Sequence, residues 1–351
     1  HRSRGLGDVY KRQGEVMDFG QVLSDGLRAA IGIPAVAYAL AAIGLNIHFG
    51  YTGLLNFGVA GFMTVGAYGL GVSVAYYGWP WPVGVLVGIL ASVVFALLLG
   101  FPTLRLRADY LAIVTIAAAE IVRIAMRATA LRDITGGSNG INGFSSGFYD
   151  LNPFSDGVSI NLGLFNLDFR ADQLWILSVG WTLVLLAVLF TWLTMRSPWG
   201  RVVKSVREDE DAARSLGKNS YSIKMQSLVI GGVLGALGGM VFVLGQGSVQ
   251  PSPQDLGTPK TFFIWVAMIL GGTGTIWGPV IGSMIFSGLL AFTDSALRNA
   301  EQEELLPEAI ITGVQVGQVR FILMGLGLML LMIFRPQGIF GNREELLLDE
   351  R

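Results

Sequence analysis

Apolar residues run along this chain in blocks of roughly bilayer length, and short polar links between the blocks hold most of the charge. The blocks lie at 28–48, 53–77, 82–104, 109–127, 173–195, 224–245, 261–276, 278–297 and 313–334. A helix rising about 1.5 Å per residue needs about 20 residues to cross a hydrocarbon layer of about 30 Å. The pattern therefore predicts an all-α integral membrane protein, a polytopic helical bundle of about 8–10 spans. Two blocks are irregular. The one from Gly53 to Tyr77 is rich in glycine and small residues, which predicts a broken or re-entrant helix. The sequence GGTGTIWGP from Gly271 predicts two short segments meeting at a turn. Interrupted backbone at membrane depth is tolerated only where protein or a water-filled path satisfies it.

Lysine and arginine gather on cytoplasmic links. Arg105 and Arg107 mark one such link, and Arg196, Arg201, Lys204, Arg207, Arg214, Lys218 and Lys224 mark another. Two spans separate them, so the parity agrees. The loop 128–172 and the acidic stretch Glu301, Glu303, Glu304 and Glu308 then face outward, and the tail from Arg335 returns to the cytoplasm. Nine simple spans place the amino-terminal side outside, whereas a re-entrant segment or a tenth crossing would bring it inside. Residues 1–16 differ in composition from the apolar remainder of the chain and read as a non-native leader before Met17. Residues 17–343 form the membrane domain, with a cytoplasmic loop at 196–223, and residues 344–351 form a cytoplasmic tail.

Composition narrows the function classes. The chain is 52% hydrophobic and 14% charged, against about 25% charged in soluble domains. A net charge of −1 gives no field for nucleic acid, and the absence of cysteine removes disulfides, thiol catalysis and thiolate metal sites. No HExxH or GxxxxGK[ST] pattern occurs, so neither a metal centre nor a phosphate loop is expected. Glycine pairs at four-residue spacing (Gly231, Gly235 and Gly239; Gly278 and Gly282; Gly313 and Gly317) predict close helix packing. Ionisable groups inside spans need a reason: Glu120 and Arg123 are spaced to pair on one helix face. Asn56, Thr64, Thr115 and Glu120 are the candidates for a translocation path, although interhelical hydrogen bonding accounts for the first three equally well. His48, at a span end, is expected at the interface.

The loop Ser197–Lys224 carries the richest local code. Ser197 can cap a helix with Pro198 at its first position, and Gly217 can close one in the left-handed region. Val202, Val203, Val206, Ala213 and Leu216 can line an apolar face opposite Arg207, Glu208, Asp209 and Asp211. These features predict an amphipathic helical hairpin beneath the membrane. It is either a solvated topology-setting loop or an element that docks its apolar residues on a partner.

The segment GRVVKSVREDEDAARSLGKN in that loop resembles the coupling loop of branched-chain amino acid ABC importer permeases. GLNIHFGYTGLLNFGVAGFMTVGAY (Gly44–Tyr68), LRLRADYLAIVTIAAAEIVR (Leu104–Arg123), TGGSNGI (Thr135–Ile141), GGTGTIWGPVIG and FRPQGIFG agree with the same family in order, nearly throughout the chain after Met17. The resemblance, to the longer LivM-type subunit, implies a type II-like ABC importer permease in the cell membrane. It implies a second permease subunit, the same or different, two cytoplasmic ATPases that bind ATP and magnesium, and an external solute-binding protein. No cofactor is expected in this chain. The ATPase would couple through Arg207, Glu208, Asp209, Ala212, Ala213, Leu216 and Gly217, and the binding protein would dock near Gly136, Gly137, Ser138 and Asn139. A urea or short-amide permease of the same family is the alternative. A stand-alone secondary transporter would require deep coupling carboxylates, of which only Glu120 is a candidate.

Overall fold

The computed structural model describes residues 19–105, 108–161 and 166–302, together with positions 319, 321–322, 325–327, 329–330, 333–335 and 337–341. Helix α1 (Phe19–Ile31) is separated from α2 (Ile33–Asn46) by extended backbone at Gly32, and Pro34 sits in the first turn of α2. The predicted block 28–48 is thus divided where glycine and proline together interrupt the helix. Helix α2 is the hub: Ala35, Val36, Ala37, Ala39, Leu40, Ala41 and Ala42 are fully buried. Its alanines let neighbours approach from several sides. It ends in a π-helical turn, Ile47–Tyr51. An extended stretch, 53–58, leads to α3 (Val59–Ala75), followed by α4 (Trp81–Thr103) and α5 (Ala108–Arg127).

A connecting region then holds the single turns α6 (Arg132–Thr135) and α7 (Ser146–Tyr149), the strand β1 (Ile141–Asn142) and the antiparallel hairpin β2 (Val158–Asn161) with β3 (Asn166–Phe169). Helix α8 (Ala171–Arg196) leads to the hairpin α9 (Pro198–Glu208) and α10 (Glu210–Ser215). From there α11 (Ser220–Gln246) returns across the bundle. The strand β4 (Ser248–Val249) pairs with β1 through Ile141↔Val249. After it come the turn α12 (Pro253–Leu256), then α13 (Thr258–Gly271) and α14 (Gly278–Gln302).

Among the described residues, five helices are long and apolar enough to cross a membrane: α2 with its π turn, α4, α8, α11 and α14. Their outer faces suit lipid rather than water, as on α4, where Leu86, Leu90, Leu98 and Phe101 are 59 to 69% exposed. The predicted spans at 53–77 and 261–276 contract to 17 and 14 helical residues. The last predicted span, 313–334, lies largely outside the described residues, as do the leader, Gly313 and Gly317.

Glycines of α11 set the packing on two sides. A Cβ at Gly231 would lie 2.4 Å from the Gly44 carbonyl oxygen of α2, and one at Gly239 would lie 2.2 Å from the Met63 carbonyl oxygen of α3. Gly282 seats α14 on α13 in the same way, 2.0 Å from the Ala267 oxygen. The bundle also contains an arrangement with no visible counterpart in the sequence. Helix α3 starts inside the bundle after the break that succeeds α2, and α13 starts there, in the opposite sense, after the break that succeeds α11. The two starts are bonded to each other: Ala60 N donates to Thr261 Oγ1 (3.0 Å), Trp265 Nε1 to the Asn56 carbonyl (3.2 Å), and Thr64 Oγ1 to the Leu256 carbonyl (3.3 Å).

Candidate functional site

The α9–α10 hairpin is built by its caps. Ser197 Oγ accepts from Gly200 N and Pro198 opens α9. Asp209 then stops α9 and starts α10, its Oδ1 accepting from Asp211 N and Ala212 N at 2.9 Å each. Gly217, at φ +76°, ends α10 in the left-handed region, with Gly217 N on the Arg214 carbonyl (2.8 Å) and Lys218 N on the Ala213 carbonyl (3.1 Å). Glu210 pairs with both Arg214 and Lys224, tying the hairpin to α11.

The apolar face does not stay together. Val203, Val206 and Ala213 are at most 3% exposed within the chain, whereas Leu216 is 80% exposed at the tip. Of the residues expected to meet an ATPase, Glu208, Asp209, Ala212, Leu216 and Gly217 lie on the open surface, although the Asp209 carboxylate is occupied as a cap. Ala213 is turned inward. Arg207, although exposed along much of its length, donates through Nη1 to the Gly50 carbonyl (2.6 Å), so one arm of its guanidinium serves this chain.

Asn56, Thr64 and Thr115 are fully buried. Asn56 and Thr115 satisfy the backbone of the break, and Thr64 bonds a carbonyl in the first turn of α3. Asn56 Oδ1 accepts from Gly58 N (2.7 Å), Thr115 Oγ1 accepts from Phe57 N (3.0 Å), and Thr64 Oγ1 donates to the Ala60 carbonyl (2.7 Å). Such bonds are what irregular backbone at depth requires. Glu120 accepts from Arg123 Nε (3.0 Å), and Arg123 Nη1 donates to the Pro251 carbonyl (2.9 Å). That pair holds the segment before α13 in place. His48 is 1% exposed, not interfacial. Its Nδ1 faces Asn56 Nδ2 (3.1 Å) and its Nε2 the Leu228 carbonyl (3.2 Å), which defines the tautomer with the proton on Nε2. The ring enters this seam because Gly231 has no side chain: a Cβ there would lie 2.3 Å from Nε2.

Two residues of this region escaped sequence reasoning. Asn46 donates to the Thr275 carbonyl and accepts from Gly274 N, both at 2.8 Å. Lys260, 5% exposed, sits with Nζ 4.2 Å above the Phe242 ring and 3.4 Å from Tyr38 Oη. Each was visible as a lone polar residue in or beside an apolar block.

At the opposite end of the bundle, Gly136 (φ +73°) and Gly137 (φ +58°) shape the turn after α6, and a Cβ on Gly136 would lie 1.9 Å from the Gly140 oxygen. These two glycines form the turn, while Ser138 and Asn139 are exposed on it. β1 joins that turn to β4.

The fold and its paired half-helices define a multi-pass α-helical membrane protein of the transporter type. Residues 29–334 match the family described as branched-chain amino acid transport system / permease component, and the chain belongs to that family. It is 32% identical over 310 residues to the high-affinity branched-chain amino acid transport system permease protein LivM of Escherichia coli (strain K12), covering 86% of this chain and 67% of that protein. The Salmonella typhimurium LivM is 32% identical over 317 residues, covering 88% and 69%. The E. coli K12 permease LivH is 26% identical over 323 residues, covering 88% and 92%. No solved structure matches.

Proposed function

We propose that this chain is the permease subunit of an ATP-binding cassette importer that carries branched-chain amino acids across the bacterial inner membrane. The observation that carries this reading is Leu216: a large apolar side chain held 80% exposed at the tip of a fully capped hairpin. A folded element that displays an apolar residue in this way suits a partner's groove. Two ATPase subunits, with ATP and magnesium, dock there, on the cytoplasmic side. A second permease subunit completes the membrane unit, and a solute-binding protein docks on the outer face. Family membership favours this reading over a urea or short-amide permease.

Proteoliposomes holding the chain with these partners test it. ATP-dependent uptake of leucine, isoleucine or valine is the expected result, and uptake of urea in their place would overturn the substrate assignment. Ser138→Arg with Asn139→Arg is expected to lower binding-protein-stimulated ATP hydrolysis several-fold and leave basal hydrolysis unchanged. Full stimulation in that double variant would remove the outer turn from the docking surface.

A further inference from the structure

We propose that Arg207 is the positioning residue through which movement of the α9–α10 hairpin enters the membrane domain, and that the π turn Ile47–Tyr51 is the element it moves. The inference rests on the reading of the hairpin as the ATPase dock.

Arg207 leaves the last turn of α9 and reaches the Gly50 carbonyl, inside the π turn, at 2.6 Å. Its stem lies against Gly53, where the chain reverses at φ +76°, and a Cβ there would sit 3.4 Å from Arg207 Cγ. One turn back toward the start of α9, Lys204 Nζ lies 6.0 Å from the Tyr51 ring centroid, a second approach of the hairpin to the same turn. A π turn is a rare geometry that recurs at functional positions in helices. Here it is bonded to α9 through Gly50, and to α11 and Asn56 through His48.

Those bonds lead to two other places. Asn46, the residue just before the π turn, clasps Gly274 N and Thr275 O in the connection from α13 to α14. The end of α13, where that connection begins, also receives residues 337–341 of the FRPQGIFG segment, because Ile339 N donates to the Leu270 carbonyl and Phe340 N to the Gly271 carbonyl, both at 3.0 Å. Within the π turn, His48 holds Asn56, whose carbonyl accepts from Trp265 of α13 (3.2 Å). Phe57 stacks on the same indole at 4.5 Å. A shift of Gly50 therefore acts on the α13–α14 connection through Asn46, and on the bonded starts of α3 and α13 through His48 and Asn56. Two sequence motifs that the docking role alone leaves unexplained, GGTGTIWGP and FRPQGIFG, are joined by this route.

A guanidinium can keep one N–H on a backbone carbonyl while its other donors stay free, which an ammonium on a shorter reach does less well. Arg207→Ala and Arg207→Lys are to be compared in proteoliposomes with the ATPases, second permease and binding protein, reading co-purification of the ATPase, stimulated ATP hydrolysis, and solute moved per ATP. The expected result for Arg207→Ala is retained docking, hydrolysis within about twofold of wild type, and at least a tenfold fall in solute per ATP, with Arg207→Lys intermediate. Unchanged solute per ATP with docking intact overturns the proposal. Loss of docking also overturns it, by making Arg207 a partner contact. Because the chain has no cysteine, Leu216→Cys supplies a single site for cross-linking to the ATPase. Absence of that cross-link in otherwise native protein would instead withdraw the docking reading itself.

Discussion

Leu216→Asp is expected to abolish ATP-driven uptake and to leave the permease folded. The side chain is 80% exposed and touches little of its own chain, so the substitution is expected to change stability by no more than about 0.5 kcal/mol, as at other open surface positions. Docking is affected quite differently. Burying a leucine side chain is worth about 1.5 to 3 kcal/mol, and forcing an unpaired carboxylate into the same groove costs several kcal/mol more. Since about 1.4 kcal/mol is tenfold in affinity, the partner is expected to bind at least a thousandfold more weakly. ATPase co-purification and leucine uptake report the loss, and thermal unfolding in detergent reports the intact fold. Normal co-purification and normal uptake in this variant would sink the hairpin as the docking site. Gly217→Pro attacks the same tip by another route, because proline at about −65° cannot adopt the φ of +76° found there.

The second large effect is on folding. Gly231→Val places a β-branched side chain whose Cβ would start 2.3 Å from His48 Nε2 and 2.4 Å from the Gly44 oxygen. The oxygen belongs to the central helix α2, which is packed on several sides and cannot retreat. Overpacking of ordinary cores already costs about 1 to 3 kcal/mol, and a clash against backbone exceeds that range against a total stability of about 5 to 15 kcal/mol. The expected outcome is no monodisperse protein on size exclusion. Gly235→Ala is the control, four residues along the same helix: its Cβ would meet Phe62 Cβ at 3.4 Å, an ordinary contact, and near-native yield is expected. Equal yields for the two variants would show that the α2–α11 seam is more compliant than its geometry indicates.

Much of this architecture was legible because bilayer-length apolar blocks have few other uses. Helices α4, α5, α8, α11 and α14 begin within a few residues of the predicted starts. The hairpin was legible at its ends, since Ser197, Pro198 and Gly217 each act through their own backbone geometry. Its middle was less so. Asp209 reads as one more surface charge, yet it caps α10 and divides the hairpin in two. An amphipathic face announces that something covers it without naming the neighbour, which is why Val203, Val206 and Ala213 turned out to be covered by this chain and Leu216 did not. Asn56 and Thr115 illustrate a related point. A polar residue in an apolar block marks a need for hydrogen bonds without naming the partner, and here the broken backbone at 53–58 is a partner of both. The meeting of α3 with α13 depends on contacts some 200 residues apart in the chain, such as Ala60 with Thr261, and no local pattern encodes it.

The brevity of α13 makes it depend on its neighbours. Its 14 residues reach only about 21 Å at 1.5 Å per residue, and Lys260 lies in its first turn. The segment is apolar yet too short to span a hydrocarbon layer of about 30 Å by itself. Its seat on α2 and α3 is completed only once Gly282 of α14 lies against Ala267. A chain cut before Gly278 would therefore leave one flank of α13 uncovered.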